Sequence, residues 1–531
     1  MKLFVWKILA FFVTFILPVH AQVSVTTSRN DNSRDGQNLS ETILTPDNVN
    51  ATSFGKLFSH NVAGYVYAQP LYVPNVAIPG LGVHNVVYVA TQHDNVYGFD
   101  ADSNTGVNAS PLWHRSFIDP KHGITTVSSG DVGCSDIVPE IGVTSTPVID
   151  TATGTMYLIA KTKENGNFFQ RLHALDITTG KERSGSPVVI RAHVKGNGDG
   201  NVNGVIYFDP LTEGQRPGLL LQNGSVIIGW ASHCDNGPYH GWVMSYDEIT
   251  LKQTAIWNST PNGGLGGVWQ SGTGLAADTD FNLFFATGNG TYDGKKGGED
   301  FSDTVAKLSP PVGYRFHLAD WFTPYNQLDL SNGDTDVGSG GVLLLPDQGM
   351  GAPHQHLLVQ VGKEGSIYLI DRDKMGHFHP NNNNQIVQDM ENAIAGLWAT
   401  PAWWNNNVYF GGSGDNLRQY SFDTMTGLLS NGAVSVSPTY FGFPGPSPSI
   451  SANGTSDAIV WALQTDDYGV GSATLHAYDA TDIGTELYNS GQSGSRDDPG
   501  GAVKFTVPTV ANGKVYVPAV QRLTVYGLLG Q

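Results

Sequence analysis

Cysteine, charge and long hydrophobic runs are all scarce in this sequence. Two of its 531 residues are cysteines and 14% are charged. Cys134 and Cys234 lie far apart, which excludes a Cys-x-x-Cys-His haem attachment site and a compact cysteine zinc site. The formal net charge of −19 argues against nucleic acid and anionic membranes as partners, and it leaves simple solubility or cation binding as explanations. After residue 21 no apolar run of 18 residues occurs, so no membrane span is expected.

Common hydrolase motifs are missing as well. No Gly-x-Ser-x-Gly elbow follows a strand, and no His-Glu-x-x-His helix is present. His354 and His356 share one loop, either as a metal pair or as surface residues. Asp293, Glu299 and Asp300 form an acidic loop, which either extends a cation site or is simply solvated. These patterns leave serine hydrolase and metalloprotease chemistry without support.

The first 21 residues predict a signal peptide. Lys2 and Lys7 flank the start of an apolar run, and Val19-His20-Ala21 resembles a cleavage site. The mature protein is therefore expected to be exported, either periplasmic or secreted. In an oxidising compartment an even number of cysteines favours a Cys134–Cys234 disulfide, and two unpaired buried thiols are the alternative.

One strand phrase recurs along the whole chain. It reads VVYVATQHDNVYGFDADS from Val86 and returns in varied form up to KVYVPAVQRLTVYGLL from Lys514. Eight copies can be counted, and one copy cannot bury its own apolar face, so the copies must pack against one another. The spacing predicts an all-β, eight-bladed β-propeller over residues 65–531, with long insertions at 103–144, 184–216 and 313–335. Residues 22–64 are expected to close the ring as a strand beside the last blade.

Four segments carry a resemblance to a known family. They are LHALDITTGKE from Leu172, SHCDNGPYHGWVMSYDEIT from Ser232, VWQSGTGLAADTDFNLFFATGNGTYDG from Val268 and VGKEGSIYLIDRDKMG from Val361. Together they resemble the eight-bladed quinoprotein alcohol dehydrogenases, which hold pyrroloquinoline quinone and usually Ca²⁺ on the propeller axis. The resemblance supports the propeller fold and implies a cofactor pocket.

The resemblance assigns roles to four residues. Lys363 matches the cation that contacts the quinone oxygens and polarises a carbonyl, and its alternative is a solvated lysine in a turn. Asn289 and Asp235 match metal-ligating positions, and each is otherwise a turn residue. Trp269 matches the ring on which the flat cofactor stacks, although a core role is the alternative.

Other positions depart from the family pattern. The adjacent cysteine pair is absent, Glu140 stands near a cofactor-binding arginine position, and Tyr67 stands at a glutamate position. Where the family has its catalytic aspartate, this chain has Asn326, and an amide cannot accept the alcohol proton. Asp329, with Asp334 and Asp336 close behind, is the predicted substitute base.

Two hypotheses follow from these matches and departures. The first is an exported oxidoreductase that transfers a hydride from an alcohol or sugar substrate to pyrroloquinoline quinone beside Ca²⁺ and passes electrons to a separate acceptor. The second is a non-catalytic extracytoplasmic propeller that serves as a binding or assembly module.

Overall fold

A computed structural model describes residues 22–530, almost all of them in short strands and loops. The predicted signal peptide lies outside the described residues. The strands of the first half, in chain order, are β1 (Gln37–Asn38), β2 (Phe54–Tyr65), β3 (Leu71–Ile78), β4 (Gly82–Thr91), β5 (Asn95–Asp100), β6 (Trp113–Ser116), β7 (Ile124–Ser128), β8 (Glu140–Ile141), β9 (Val148–Asp150), β10 (Thr155–Glu164), β11 (Asn167–Asp176), β12 (Val188–Val189), β13 (His193–Lys195), β14 (Val205–Tyr207), β15 (Leu220–Gln222), β16 (Ser225–Trp230), β17 (Trp242–Asp247) and β18 (Gln253–Asn258).

The second half continues the same pattern. Its strands are β19 (Ala276–Ala277), β20 (Leu283–Ala286), β21 (Val305–Val312), β22 (Arg315–Thr323), β23 (Leu343–Leu344), β24 (Leu357–Val361), β25 (Ile367–Asp371), β26 (His377–Phe378), β27 (Gln388–Met390), β28 (Ala402–Trp404), β29 (Asn407–Gly411), β30 (Asp415–Asp423), β31 (Leu428–Leu429), β32 (Ser435–Phe441), β33 (Ser449–Asn453), β34 (Ser456–Gln464), β35 (Thr474–Asp479), β36 (Glu486–Asn489), β37 (Thr509–Ala511) and β38 (Lys514–Leu528). The α-helix of the described residues is α1 (Gln327–Gly333), and the 3-10 helices are Gly106–Ala109, Pro120–His122, Gln270–Gly272, Gly294–Lys296, Val337–Ser339 and Ser490–Asp497.

The strands group into eight units along the chain, each a small antiparallel sheet. The units are β3–β6, β9–β12, β15–β18, β19–β22, β23–β25 with β27, β28–β32, β33–β36, and β37–β38 with β2. The third and fourth units belong to one nine-stranded sheet, joined by a single parallel pairing of Ile256 with Arg315. The hairpin β13–β14 stands apart inside the 184–216 insertion. This architecture confirms the predicted propeller fold.

The hydrophobic core lies between neighbouring units. In one buried cluster Val86 and Tyr88 of β4 pack with Met156 and Leu158 of β10, from the next unit. Alternate residues of a strand face opposite sides of its sheet, so each sheet offers one apolar face to each neighbour. Burial of these faces therefore requires the units to stand side by side.

The N-terminal and C-terminal parts of the chain share one sheet. β2 pairs antiparallel with β38, from Phe54 opposite Leu528 to Tyr65 opposite Val520. This pairing is the contact that the ring-closure prediction requires, and closure itself stays a prediction.

A single short segment, residues 25–38, forms hydrogen bonds with all eight units in chain order. We call this segment the N-terminal hub. Its partners lie on or next to the first strand of each unit: Tyr72, Ile149, Leu219, Ala277, Leu344, Trp403, Ile450 and Val510. Because one segment reaches all eight first strands, these strands converge on a common axis. This path of residues 25–38 is not predicted by the sequence pattern.

Two fully buried arginines anchor the hub. Arg34 donates from Nε to Leu275 O over 2.7 Å and from Nη1 to Ser28 O over 2.7 Å, and Arg29 donates to Pro401 O over 2.9 Å. Burial lowers the pKa of each guanidinium to about 10, so both remain charged at neutral pH. A guanidinium presents five N–H donors on three nitrogens in a fixed plane, whereas a lysine ammonium has three donors on a single nitrogen and cannot reach the same separated carbonyls.

Arg34→Lys should therefore lower the free energy of unfolding by about 2 kcal/mol, because a buried carbonyl loses its donor. Denaturant unfolding measures the change, with Arg191→Lys, an exposed arginine of the 184–216 insertion, as the matched control. Equal stability of the two variants would show that the hub does not hold the units together.

Candidate functional site

One cavity of about 430 Å³ is lined by Lys363, Asp235 and Trp269, three of the four residues to which the family resemblance assigns roles. Its volume lies in the range of small-molecule sites. It is lined by Ser135, Asp136, Ile137, Arg216, Cys234, Asp235, Trp269, Ser271, Asp334, Asp336, Ser339, Lys363, Trp398, Phe443, Lys504 and Phe505. These side chains come from loops of different units, so the cavity exists only in the assembled fold.

Lys363 is the centre of the acidic part of the cavity. It lies in the turn between β24 and β25, and its Nζ is 2.8 Å from Asp336 Oδ1 and also pairs with Asp334. Burial acts to lower the pKa of Lys363, but the two carboxylates outweigh burial and raise it above its usual value. The lysine is therefore charged throughout the physiological range.

Asp336 is the buried carboxylate of this group. Only 2% of its side chain is exposed, and burial raises its pKa against the lowering effect of Lys363. Gly288 leaves room for the Asp336 carboxylate because it has no side chain. A Cβ at position 288 would lie 2.8 Å from Asp336 Oδ2 and 3.0 Å from the Trp269 indole. The carboxylate and the edge of the indole therefore both lie against Gly288.

Asn289 joins the group from the side of the fourth unit. Its Nδ2 donates to Asp334 Oδ1 over 2.7 Å, while its Oδ1 is buried without a hydrogen-bond partner among residues 22–530. Asp235 lines the same cavity, accepts a hydrogen bond from the Tyr239 hydroxyl, and acts to raise the pKa of Asp336. A free carbonyl oxygen beside several carboxylates is the donor set that a hard cation prefers.

The predicted disulfide is present. Cys134 and Cys234 are bonded, with their Cα atoms 5.7 Å apart. Cys234 lies on the cavity beside Asp235, and Cys134 is two residues from Asp136. The bond therefore fixes two loops that each place a carboxylate on the cavity wall.

The cavity wall concentrates unusual backbone conformations. Five of its sixteen residues are non-glycine residues in the left-handed region, namely Cys234, Asp235, Ser271, Asp334 and Phe505, with φ between 42° and 67°. Such conformations cost on the order of 1 kcal/mol or more each and are concentrated at functional sites. Gln270, which lies between Trp269 and Ser271, also has a left-handed backbone conformation, with φ 49°. The strained backbone conformations therefore lie on the same cavity as the candidate site residues.

Not every predicted residue reaches the cavity. Asp329 lies exposed on α1 and does not line the cavity, and Asn326 donates its amide to Glu364 Oε1 over 2.8 Å. Glu140 also lies off the cavity, 2.6 Å from His93 Nδ1. Tyr67 donates its hydroxyl to Val138 O over 3.2 Å, and burial raises its pKa to about 12. The carboxylates that line the cavity are Asp136, Asp235, Asp334 and Asp336 instead.

The other polar clusters are built like surface features. His354 and His356 each lie 2.7 Å from an aspartate, Asp371 and Asp373 respectively, in half-exposed or exposed positions. Within residues 22–530 one group of His, Cys, Asp and Glu side chains is close enough to hold a metal: Cys134, Asp136 and Cys234. Since both of its sulfurs form the disulfide, this group offers no thiolate.

Arg216, Lys504, Phe505 and Asp136 line the cavity but were missed in the sequence. Arg216 ends the 184–216 insertion, and Lys504 precedes β37. The one available signal was a lysine inside the apolar stretch GAVKFTVP, where a charge requires a reason.

Comparisons with known proteins support the fold. No family model matches the sequence, and no curated protein matches it either. A solved quinohemoprotein alcohol dehydrogenase from Pseudomonas putida HK5 aligns with 96% of this chain and 81% of its own, at 14% identity and a TM-score of 0.60. A europium-containing methanol dehydrogenase aligns with 95% of this chain and 98% of its own, at 14% identity and a TM-score of 0.59. The chain therefore has the propeller fold of quinoprotein dehydrogenases.

The described residues contain no helix long and apolar enough to cross a membrane.

Proposed function

We propose that this protein is an exported dehydrogenase that oxidises an alcohol or sugar hydroxyl with pyrroloquinoline quinone and Ca²⁺ in the cavity described above. The observation that carries the proposal is the convergence of Lys363, Asp336, Asp235 and Trp269 on one cavity, with Asn289 bonded to its rim. These residues stand in separate segments of the chain, and one small ligand can engage residues that line a common cavity.

The residues present fit a hard cation and a flat quinone. The unpartnered Oδ1 of Asn289 and the carboxylates of Asp235 and Asp334 are oxygen ligands suited to Ca²⁺. Trp269 offers an indole for stacking, and Lys363 a charge that can polarise a quinone oxygen. When bound, the quinone supplies the two-electron acceptor that no side chain can replace.

Asp336 is the base in this proposal. Its Oδ1 faces Lys363, which leaves Oδ2 to take the proton of the substrate hydroxyl. A carboxylate with a raised pKa accepts a proton more readily than an exposed one, and burial raises the pKa of Asp336. Lys363 holds the carboxylate in place, and the apolar walls limit access of water. Electrons would leave to a separate carrier, because the chain has no haem attachment motif.

The direct test is alcohol-dependent reduction of an artificial electron acceptor. Purified protein would be mixed with pyrroloquinoline quinone and either Ca²⁺ or a chelator, and a panel of alcohols and sugars would be supplied. We expect turnover only with quinone and Ca²⁺ together. Absence of turnover together with absence of quinone binding would contradict the proposal.

Asn289→Leu should abolish stabilisation by Ca²⁺ without unfolding the protein. At a Ca²⁺ concentration about 100 times the Kd, wild-type stability should rise by about 2.7 kcal/mol, which raises the melting temperature by several degrees. The variant lacks the free carbonyl oxygen and should show no rise. Asn332→Leu, an exposed position on α1, is the matched control and should respond like the wild type. A full Ca²⁺ response in Asn289→Leu would remove this residue from the site.

One observation favours the second candidate, a non-catalytic binding module. Lys363 is already paired with Asp334 and Asp336, so its charge is satisfied by the protein alone. In that case quinone would bind without turnover or not at all, and Lys363→Gln would lower the melting temperature instead of the activity.

A further inference from the structure

Three neighbouring hollows lie beside the hairpin β13–β14 and the last strands of the third and fourth units, β18 and β22. The largest has a volume of about 1010 Å³. A hollow of about 290 Å³ adjoins it and shares Arg191 and Tyr207 with it. Phe301 lines the largest hollow and packs against Tyr292 and Trp321, which line the third, of about 510 Å³. We call the three hollows together the outer groove, and they share no lining residue with the 430 Å³ cavity.

Backbone hydrogen bonds hold the walls of the outer groove in place. Ile256 N of β18 donates to the carbonyl oxygen of Tyr314, in the turn between β21 and β22, over 3.2 Å. On the other side, Gln253 Nε2 donates to the carbonyl oxygen of Arg191 over 3.0 Å. The insertion 184–216 and the turn of the fourth unit are therefore both fixed to β18. A ligand would meet a groove that is already formed, which lowers the entropy cost of binding.

Aromatic rings line every part of the outer groove. Tyr207 and Tyr314 line the largest hollow and are 57% and 73% exposed. Phe168 and Phe169 line the smallest hollow, and Phe378 lines the third. Exposed apolar surface that continues through neighbouring hollows marks an interaction site. The electron-rich face of such a ring packs favourably against C–H groups, including those on the flat face of a sugar ring.

The outer groove is basic, although the chain as a whole has 47 acidic and 28 basic residues. Its lining includes the exposed cations Arg191, Lys195, Arg315 and Lys295, and Glu299 is the one acidic residue among those that line it. The ion pairs that lysines and arginines form within residues 22–530 involve other residues. All four cations are therefore available to an anionic ligand.

The extent and chemistry of the outer groove favour one kind of ligand. Three adjoining hollows suit a chain of units better than a single small molecule. Among anionic chains, nucleic acid is bound by strongly basic domains that neutralise many phosphates, whereas the isoelectric point of this chain is about 5.1. An acidic polysaccharide offers both flat C–H faces for the tyrosines and separated carboxylates for the cations.

We infer that the outer groove binds an acidic polysaccharide, a chain of sugar rings that carry carboxylates. Sugar rings pack on Tyr207 and Tyr314, and carboxylates pair with Arg191 and Arg315. The inference goes beyond the proposed function, because the outer groove is separate from the cavity and binding there involves neither quinone, Ca²⁺ nor oxidation.

The test measures binding of hexagalacturonate by calorimetry, in buffer that contains a chelator. We expect the fully methyl-esterified hexamer, which has the same rings without the charges, to bind at least about tenfold more weakly. The monomer galacturonate should also bind at least about tenfold more weakly, because it engages one part of the groove at a time. The affinity for the hexamer should fall as ionic strength rises, since exposed ion pairs are screened by salt.

Variants of exposed residues test the two kinds of contact. Tyr207→Ala and Tyr314→Ala should each weaken hexagalacturonate binding by about fivefold or more, and Tyr314→Phe, which keeps the ring, should retain the affinity. The double variant Arg191→Gln, Arg315→Gln should weaken binding by about tenfold, as expected for the loss of two exposed ion pairs.

Matched controls come from exposed positions elsewhere in the fold. Tyr440→Ala, on β32, removes a tyrosine that is 60% exposed, and the double variant Lys121→Gln, Lys374→Gln removes two exposed charges. Both should bind hexagalacturonate like the wild type. Asp336→Asn should do so too, which keeps a failure of this inference distinguishable from a failure of the proposed function.

Four results would overturn the inference. They are absence of hexagalacturonate binding, equal affinity for the methyl-esterified hexamer, tighter binding of oligothymidylate or hexaglutamate than of hexagalacturonate, and unchanged affinity in the tyrosine or arginine variants. Tighter binding of oligothymidylate would identify a nucleic-acid site, and tighter binding of hexaglutamate an acidic-peptide site.

Discussion

Asp336→Asn should lower kcat for alcohol oxidation by about 10³-fold in the protein loaded with quinone and Ca²⁺, because an amide cannot take the hydroxyl proton. The carboxylate is buried on the cavity beside Lys363, and no other buried aspartate lines that cavity among residues 22–530. Steady-state kinetics with an artificial electron acceptor measures the effect. Quinone affinity, followed by tryptophan fluorescence, should change far less than kcat.

Asp329→Asn is the informative control for that experiment. Asp329 is the base predicted from the sequence, yet it is exposed on α1 and does not line the cavity. We expect its variant to retain wild-type kcat. The reverse result, a large loss in Asp329→Asn and little in Asp336→Asn, would mean that the loop is rearranged when the ligands bind and that Asp329 is the base.

Removal of the disulfide should have the largest effect on stability. The double variant Cys134→Ser, Cys234→Ser opens a loop whose ends are 100 residues apart in sequence, which should lower the free energy of unfolding by ~4 to 5 kcal/mol in the chain-entropy model. Guanidinium unfolding under non-reducing conditions measures the loss. Because Cys234 precedes Asp235 directly, Ca²⁺ affinity should fall as well.

Reduction of the wild-type protein provides the control for the disulfide variant. A thiol reductant should bring the wild type down to the stability of the double variant and leave the variant itself unchanged. If the variant is as stable as the oxidised wild type, the bond contributes nothing and the two loops are held by their packing alone.

The recurring strand phrase was sufficient to predict the propeller. Alternating apolar residues, as in Met156 and Leu158 of β10, report a two-faced sheet, and eight such sheets bury those faces only against one another. The disulfide was also predictable, since two cysteines in a chain that is predicted to be exported have one possible partner each. Both conclusions depend on short sequence patterns or on the number of residues of one type, and both can be obtained from the sequence alone.

The residues of the cavity were predictable only where a family motif marked them. Lys363, Asp235, Trp269 and Asn289 stand in such motifs, and the fold brings them to one cavity or its rim. Asp329 and Asp336 are seven positions apart in one segment, and nothing in their spacing says which one is buried. Helix α1 ends at Gly333, and Asp334 follows it in a left-handed conformation. This change of chain direction places Asp336, and not Asp329, beside Lys363.

The repeat, the all-β class and the pairing of the two cysteines can be inferred from the sequence, because each depends on local periodicity or on a count. The hydrogen bonds from residues 25–38 to all eight units, and the cavity wall that Arg216 and Lys504 share with Phe505, are visible only in the folded protein. Those contacts join residues hundreds of positions apart, such as Arg216 and Lys504. Their proximity arises from how the units are arranged around the axis, and no short stretch of sequence encodes that arrangement.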